Sequence, residues 1–456
     1  MIQYIGQEKL IEEIYNRKQE HVFQYWQSLS DENKNSLMKE LQGIDFDLME
    51  KLFQGKELPS VGGYSPAPTI DPSKSGKEEI KKARDIGEKC IRGGKVAAFL
   101  VAGGQGSRLG YDGPKGKFPV GPVSGKSLFH YHGEKIKAYE LKYKVKIPYL
   151  IMTSVVNHDE TVAFFKENSY FGLAPELVMI FPQNMIPSLD TEGKLIMKNE
   201  SSIFMNPDGH GGSLRAMESS GALKKIREMG IEIVSYFQVD NPLVKIVDPL
   251  FLGFHIMKEA EVSSKAIPKA YAEEKTGVFI KNDDGRTGII EYSDMPEEKL
   301  QAKDDEGKLL YSAGNTAIHL INLDFIERVT GKNEDTLPYH RASKKIKAFI
   351  NGGVKEIDGL KYEKFIFDAL PVCKKDMVYE TVREEEFAPV KNSEGKDSPQ
   401  SAKELISGLS RKWLIDSGIN IPEKVKTIEI SPLFSVDGEN IPKETVILDK
   451  TEICLE

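Results

Sequence analysis

The sequence predicts an α/β chain: a Rossmann-like mixed, mainly parallel sheet, preceded by an N-terminal helical region and followed by a small C-terminal β-rich domain. Three observations carry this. Residues 1 to about 55 set apolar side chains at helical spacing among charges, as in LIEEIYNRKQEHVFQYW and LMKELQGIDFDLMEKLF. From residue 95, short continuous apolar runs alternate with helical stretches, as parallel strands covered on both faces do. After about residue 395 the polar stretch NSEGKDSPQSAKE breaks that alternation, and a helix and short strands follow.

Taken in order, the helices of the first 55 residues lead into ELPSVGGYSPAPTIDPSKSG (57–76), whose Pro, Gly and Ser content predicts a surface connector. Together they form a first region, 1–75. EEIKKARDIGEKCIRGG (78–94) is a helix feeding the first strand, VAAFLV (96–101). PYLIMTSV (148–155), LVMIF (177–181) and IVSYFQV (233–239) are the next strands. LFHYHGEKIKAYELKYK (128–144) and GSLRAMESSGALKKIREMG (212–230) are helices between them. TGVFIKNDDGRTGIIEYS (276–293) places an Asn-Asp-Asp-Gly turn between two strand-like flanks and predicts an antiparallel hairpin. The main domain covers 76–395. The C-terminal domain, 396–456, holds a helix and the strands VKTIEI (425–430) and ETVILD (444–449).

A formal net charge of -8 argues against nonspecific affinity for nucleic acid or a membrane surface. Cys90, Cys373 and Cys454 lie far apart, which fits a reducing compartment and no structural zinc. The opening MIQYIGQEKLIEEIYNRKQE is charged throughout, unlike a signal peptide, and no apolar run approaches the roughly 18 residues of a membrane span. The expectation is a cytoplasmic protein.

The chemistry concentrates in LVAGGQGSRLGYDGPKGKFPVG (100–121), which holds seven glycines and follows a strand. A dinucleotide fingerprint needs G-x-G-x-x-G opening a helix. Gly104, Gly106 and Gly110 are spaced one residue too long, and Pro114 and Pro119 follow in place of a helix. A Walker A loop fails as well, since Gly121 to Ser127 is one residue short of G-x-x-x-x-G-K-[ST]. What fits is a loop whose small residues let backbone N–H groups approach phosphate oxygens, with Arg108 and Lys115 as cations for a triphosphate.

This loop, with PQNMIPSLD (182–190), PDGHGGSLRAM (207–217), QVDNPLVKIVDP (238–249), AGNTAIH (313–319), EKFIFDALP (363–371) and REEEFAPVKN (383–392), resembles the UDP-sugar pyrophosphorylases. It is most similar to their UDP-N-acetylglucosamine pyrophosphorylase branch, in ordered blocks over roughly residues 95 to 395. The resemblance implies a nucleotidyltransferase domain that takes UTP and a sugar 1-phosphate, with Mg²⁺ as cofactor. The sugar phosphate attacks the UTP α-phosphorus in line and pyrophosphate leaves. It also implies roles for residues. Arg108, Lys115 and Lys391 meet the phosphates at the reacting centre. The backbone of Ala102, Gly103, Gly104 and Gly106 cradles the nucleotide, while Gln183 and Gly209 read the uracil. Asp240, at the carboxyl end of a strand, holds the metal, or else caps a following helix. His210, Glu291, Asn315, Phe365 and Phe367 line the sugar; the two phenylalanines read equally well as core positions of one strand.

His210 departs from the N-acetylglucosamine pattern, which has asparagine in that block, whereas UDP-glucose and broad-specificity branches tend to carry histidine. Glucose or galactose 1-phosphate are therefore the rival sugars. A noncatalytic sugar-nucleotide sensor is the alternative of another class, and an NAD-dependent oxidoreductase is disfavoured by the glycine spacing. No serine or cysteine nucleophile with an activating base is evident.

Overall fold

The computed structural model describes residues 1–55, 62–331, 337–445, 447 and 450–456. By internal contacts the chain forms two units: Met1–Ser60 with Asn184–Ser213 and Leu337–Ile366, and Val61–Gln183 with Leu214–Thr336 and Phe367–Glu456.

In the first unit the N-terminal pattern becomes three helices, α1 (Glu8–Asn16), α2 (Asp31–Gln42) and α3 (Phe46–Gln54). Ser30 and Asp45 start the last two by accepting backbone N–H groups of the first turn. Their apolar faces, with Ile11, Ile14, Leu37, Leu41 and Met49 buried, pack on Ile186, Leu189, Leu195 and Ile203 from the middle of the chain. A long hairpin, His340–Ile350 with Gly353–Glu363, pairs with Leu189–Asp190 into a three-stranded antiparallel sheet. No strong apolar alternation in the sequence marks this hairpin. Its two-residue turn is Asn351-Gly352, with φ +52° and +78°, the left-handed pair that lets a tight turn match strand twist.

The second unit carries a ten-stranded sheet. Its strands are β1 (Tyr64–Pro66), β2 (Val96–Val101), β3 (Tyr149–Thr153), β4 (Val178–Pro182), β5 (Ile233–Gln238), β6 (Val262–Pro268), β7 (Val278–Asn282), β8 (Thr287–Ile290), β9 (Ala313–Asn322) and β10 (Asp376–Glu380). The main order is β1-β7-β9-β5-β2-β3-β4; β6 pairs with β9 and β10, and β8 with β7. β5, β2, β3 and β4 are parallel, and these are the four continuous apolar runs. β9 lies antiparallel to β5 and turns the sheet from parallel to mixed. The predicted hairpin is β7 and β8.

Helices α4 (Lys77–Arg92), α5 (Leu128–Tyr143), α6 (His158–Glu167) and α7 (Pro249–Met257) belong to this unit. Its core joins Leu100, Ile151 and Phe237 of the sheet to Phe129, Ile136, Phe165 and Phe251 of the helices. The predicted helix over 212–230 is instead two, Ser213–Ser219 and Ala222–Glu228. Gly221, at φ +78°, separates them because that backbone conformation cannot continue a right-handed helix.

After α8 (Pro399–Asp416), the strand within 425–430 is Thr427–Ile430, and it pairs in parallel with Glu452–Leu455. Val446, Leu448 and Asp449 of the stretch ETVILD (444–449) lie outside the described residues, as do residues 57–61 of the connector. Glu429, buried in that strand pair, accepts hydrogen bonds from Val123 N (2.8 Å), Ser124 N (2.7 Å), Ser124 Oγ (2.6 Å) and the Tyr131 hydroxyl (2.7 Å). The C-terminal strands are thereby tied to the loop that leads into α5.

Candidate active site

β2 and β5 are neighbours whose connections leave in opposite directions, β2 towards β3 and β5 towards the antiparallel half of the sheet. Loops at the carboxyl ends of two such strands border a crevice where α/β sheets bind ligands. Here they are the glycine-rich loop after β2 and Val239–Val247 after β5. Val239 N donates to Val101 O at 3.1 Å, so the loops diverge from adjacent strand ends.

The glycine-rich loop closes on itself. Gly106 N donates to Gly113 O (2.9 Å) and Lys115 N to Gly104 O (3.1 Å). Asn157, a residue the sequence analysis did not single out, fixes its root: the buried amide donates to Ala102 O (3.0 Å) and Gly104 O (3.2 Å) and accepts from Ser154 N (2.8 Å). Its only local signal is the place it occupies, between β3 and α6.

Arg108 is exposed and Lys115 half-buried, and neither side chain makes a hydrogen bond or ion pair to a described residue. Lys117, two residues on, pairs with Glu160 at 2.5 Å. Two cations held on a closed loop without protein partners are placed to meet an anion.

Gln183 directly follows β4, and its N–H donates to Thr153 O at 2.7 Å. The side chain is buried, yet its amide makes no hydrogen bond to a described residue. An amide that keeps its donor and its acceptor open to solvent in this way suits a ligand that presents the converse. A Cβ on Gly103 would stand 3.0 Å from Gln183 Oε1, so the glycine leaves room for the amide.

Asp240 follows β5; the residue is 8% exposed, and its carboxylate accepts no hydrogen bond among the described residues. It caps no helix. The next helix, α7, begins at Pro249 and is capped by Asp248. Asp240 O accepts from Val390 N at 2.9 Å, which brings Lys391 next to this loop. Lys391 N donates to Asp397 O (2.7 Å), and its ammonium lies 5.7 Å from the Phe387 ring centroid. Burial pushes the Asp397 carboxyl above its usual range while Lys391 and Arg383 draw it down. Asp397 is a second charged neighbour that the motif did not mark.

Glu291, just past β8, is pushed above the usual carboxylate range by burial and by Asp294, and Lys391 draws it back. Asn315 in β9 donates its N–H to Gly277 O (2.8 Å), and a Cβ on Gly277 would lie 3.1 Å from Glu291 Oε1. Glu291 and Asn315 thus share one neighbour. Asn315 Oδ1 also accepts from Ala317 N (2.9 Å), where the strand bulges with Ala317 at φ +56°. Phe367 is buried in a short 3₁₀ turn, Ile366–Ala369. It and Phe365 are not alternate residues of one strand, because β-structure ends at Glu363.

In the first unit, Gly209, His210 and Phe365 come together. Gly209 has φ +84°, and a Cβ there would meet Lys364 O at 2.4 Å. His210 Nδ1 accepts from Ile366 N (3.2 Å), which places the ring proton on Nε2. Burial pushes the imidazole down to about 4, so the ring is neutral at pH 7. The Phe365 ring centroid lies 5.4 Å from that of His210 and 4.6 Å from that of His340.

Covalent catalysis gains no support. Burial pushes the Cys90 and Cys373 thiols up to about 11 and 12, so neither is a thiolate at neutral pH. Ser263 with His255, and Ser264 with His319, are in hydrogen-bond contact at 2.7 and 2.8 Å, but all four are buried in the sheet. Among the described residues no three His, Cys, Asp or Glu side chains form a group able to hold a metal. Among the described residues no helix is long and apolar enough to cross a membrane.

The family model for UTP–glucose-1-phosphate uridylyltransferase matches residues 69–443. UDP-N-acetylglucosamine diphosphorylase 2 of Arabidopsis thaliana is 37% identical over 95% of this chain and 90% of its own. A probable UDP-N-acetylglucosamine pyrophosphorylase of Dictyostelium discoideum is 35% identical over 95% and 94%. The crystal structure of the Trypanosoma brucei uridine diphosphate N-acetylglucosamine pyrophosphorylase with an inhibitor matches at a TM-score of 0.83 and 29% identity, covering 100% of this chain and 99% of that one. With a switch-point crevice, two loop cations that have no partner among the described residues and a match over most of its length, the chain belongs to the UTP–glucose-1-phosphate uridylyltransferase family.

Proposed function

We propose that this enzyme forms UDP-N-acetylglucosamine and pyrophosphate from UTP and N-acetylglucosamine 1-phosphate. The reading rests on the loop cations Arg108 and Lys115, which make no hydrogen bond or ion pair among the described residues, and on the Val390 N to Asp240 O hydrogen bond, which brings Lys391 beside the loop that bears Asp240. Gln183 orients the uracil through its unpaired amide. The backbone at Ala102, Gly103, Gly104 and Gly106 approaches the triphosphate, and Arg108 and Lys115 hold the departing pyrophosphate. Lys391 sits at the α-phosphate, where charge builds on the equatorial oxygens during in-line attack.

Mg²⁺ fits this arrangement. Asp240 would hold the ion through a carboxylate that nothing among the described residues hydrogen-bonds, a hard oxygen donor of the kind Mg²⁺ takes. When bound, the ion neutralises phosphate charge. Glu291 and Asn315 supply an acceptor and an amide for sugar hydroxyls or the acetamido group. The roles of Gly209, His210, Phe365 and Phe367 stand as the sequence resemblance implies them.

The relatives' names support the acetylated sugar. A neutral His210 is compatible with that choice, because a ring N–H at Nε2 is a donor like the amide of the asparagine it replaces. The test is kcat/KM for pyrophosphate release from UTP with N-acetylglucosamine, glucose and galactose 1-phosphates. A clear preference for an unacetylated sugar overturns the substrate. Tight UDP-sugar binding with no turnover on any of them overturns the reaction in favour of a sensor. Soluble protein in the cytoplasm is the setting we infer, because UTP and sugar 1-phosphates are met there.

A further inference from the structure

We infer that Asn241 is a positioning residue: with the segment Glu386–Val390 it forms a buried clip that sets Lys391 relative to Asp240. The inference rests on the function proposed above. Asn241 is 4% exposed, and both ends of its amide are used. Nδ2 donates to Glu386 O at 2.7 Å, and Oδ1 accepts from Ala388 N at 3.0 Å and from Leu243 N at 3.2 Å. One step further on, Val390 N donates to Asp240 O at 2.9 Å. Residues 386, 388 and 390 are thus tied in succession to residues 240 and 241. Lys391 is the next residue, and its own N–H is taken by Asp397 O.

The lower end of the clip is anchored as firmly. The fully buried Glu386 carboxylate accepts from Lys265 Nζ, from Lys245 N (3.1 Å) and from the Thr381 hydroxyl (2.6 Å). Lys265, itself fully buried, also pairs with Asp248 at 2.7 Å. On the other side of Asp240, α5 holds the same loop. His132 Nε2 donates to Val239 O (3.0 Å), and Lys135 Nζ to Pro242 O (2.6 Å) and Val244 O (2.8 Å). The loop bearing Asp240 therefore cannot shift without breaking buried polar pairs. Through Asn241, the segment bearing Lys391 shares that constraint.

Reacting groups must keep their relative position to a fraction of an ångström for charge stabilisation to be preorganised. A lysine at the end of an unanchored loop would not. Gln183, Arg108 and Lys115 stand on other strands and loops, so loosening the clip should leave UTP binding largely intact. A merely structural asparagine would instead lower stability without acting through Lys391.

The full-length chain with Asn241→Ala, Lys391→Ala or both separates these readings, using pyrophosphate release together with amide hydrogen exchange. For Asn241→Ala we expect kcat to fall about 30-fold or more, with the KM for UTP changed less than about 3-fold. The Ala388 and Val390 amides should exchange at least about 10-fold faster. The double variant should be no slower than Lys391→Ala alone, because a residue acting through Lys391 has nothing left to position. Asn241→Ser, whose hydroxyl can replace one of the two bonds to residues 386 and 388, should lie between, and it is read in the same way if the alanine variant fails to accumulate. Losses that multiply in the double variant, or an unchanged kcat despite faster exchange, overturn the clip while leaving the proposed function standing. No release by the unaltered chain overturns the function first.

Discussion

Lys115 and Lys117 stand two residues apart in the same 3₁₀ turn, and the structure predicts opposite consequences for losing them. The Lys115 ammonium touches no acceptor among the described residues, so Lys115→Ala leaves no buried charge unpaired and should not disturb the fold. Its N–H, which closes the loop on Gly104 O, is kept by alanine. What is lost, on the proposed function, is a charge-assisted contact to phosphate that strengthens as pyrophosphate departs. Such contacts contribute about 2–4 kcal/mol, or roughly 30- to 1000-fold in kcat/KM. Lys117 pairs with a Glu160 side chain that is 45% exposed, and the Lys117 ammonium lies 5.5 Å from the Phe164 ring centroid. An ion pair of that exposure contributes at most about 1 kcal/mol, so Lys117→Ala should cost a degree or two of Tm and less than about 3-fold in rate. Pyrophosphate release and a thermal melt on both purified variants decide the matter. Near wild-type turnover for Lys115→Ala removes it from the mechanism. An equal kinetic loss in Lys117→Ala refutes the argument that partnerless cations identify the phosphate contacts.

Three further outcomes are expected. Gln183→Leu should raise the KM for UTP about 10- to 100-fold with little change in Tm, since on the proposed function its amide meets the uracil and it makes no hydrogen bond among the described residues; an unchanged KM in steady-state kinetics would take uracil recognition away from it. Gly209→Ala should destabilise the chain by about 2–4 kcal/mol in urea unfolding, because φ +84° and a Cβ at 2.4 Å from Lys364 O leave no room to relax, and a shift under about 0.5 kcal/mol would contradict that geometry. Burial pushes His132 down to about 3 and His255 to about 4, so below pH 6.5 the unfolded chain takes up protons that the folded chain refuses. Stability should therefore fall between pH 6.5 and 4.5 by up to about 1.4 kcal/mol per pH unit for each histidine, and a flat urea midpoint over that range would exclude the effect.

How much of this was legible depended on how far apart in sequence the interacting groups lie. The four parallel strands were visible because burial on both faces writes a continuous apolar run into each. The glycine-rich loop was visible because it closes within itself, Gly104 on Lys115 and Gly106 on Gly113, so its spacing carries its geometry. The Asn351-Gly352 turn was equally local but lies in a lysine-rich hairpin whose strands lack a strong alternation, and the search for apolar runs passed over it. The grouping of 1–60 with 184–213 and 337–366 had no local trace at all, since it arises from packing between segments far apart in the chain.

The same rule separates the site's residues. Asp240 and Lys391 each sit in a recognisable block, but nothing in VDN or APVKN says that Asp240 O takes the Val390 N–H, or that Asn241 joins the two blocks across about 145 residues. Asn157 and Glu429 carry no local mark for the same reason: each is a polar side chain that reaches backbone groups tens to hundreds of residues away. Residue type could suggest which groups meet the substrate, because phosphate calls for cations and a base calls for an amide. It could not distinguish Lys115 from Lys117, whose difference lies only in Glu160. A reactive group here is marked less by what it touches in the protein than by what it leaves untouched. The residues that hold such groups in place, Asn241 and Asn157, are marked by the opposite condition, with both ends of a buried amide occupied.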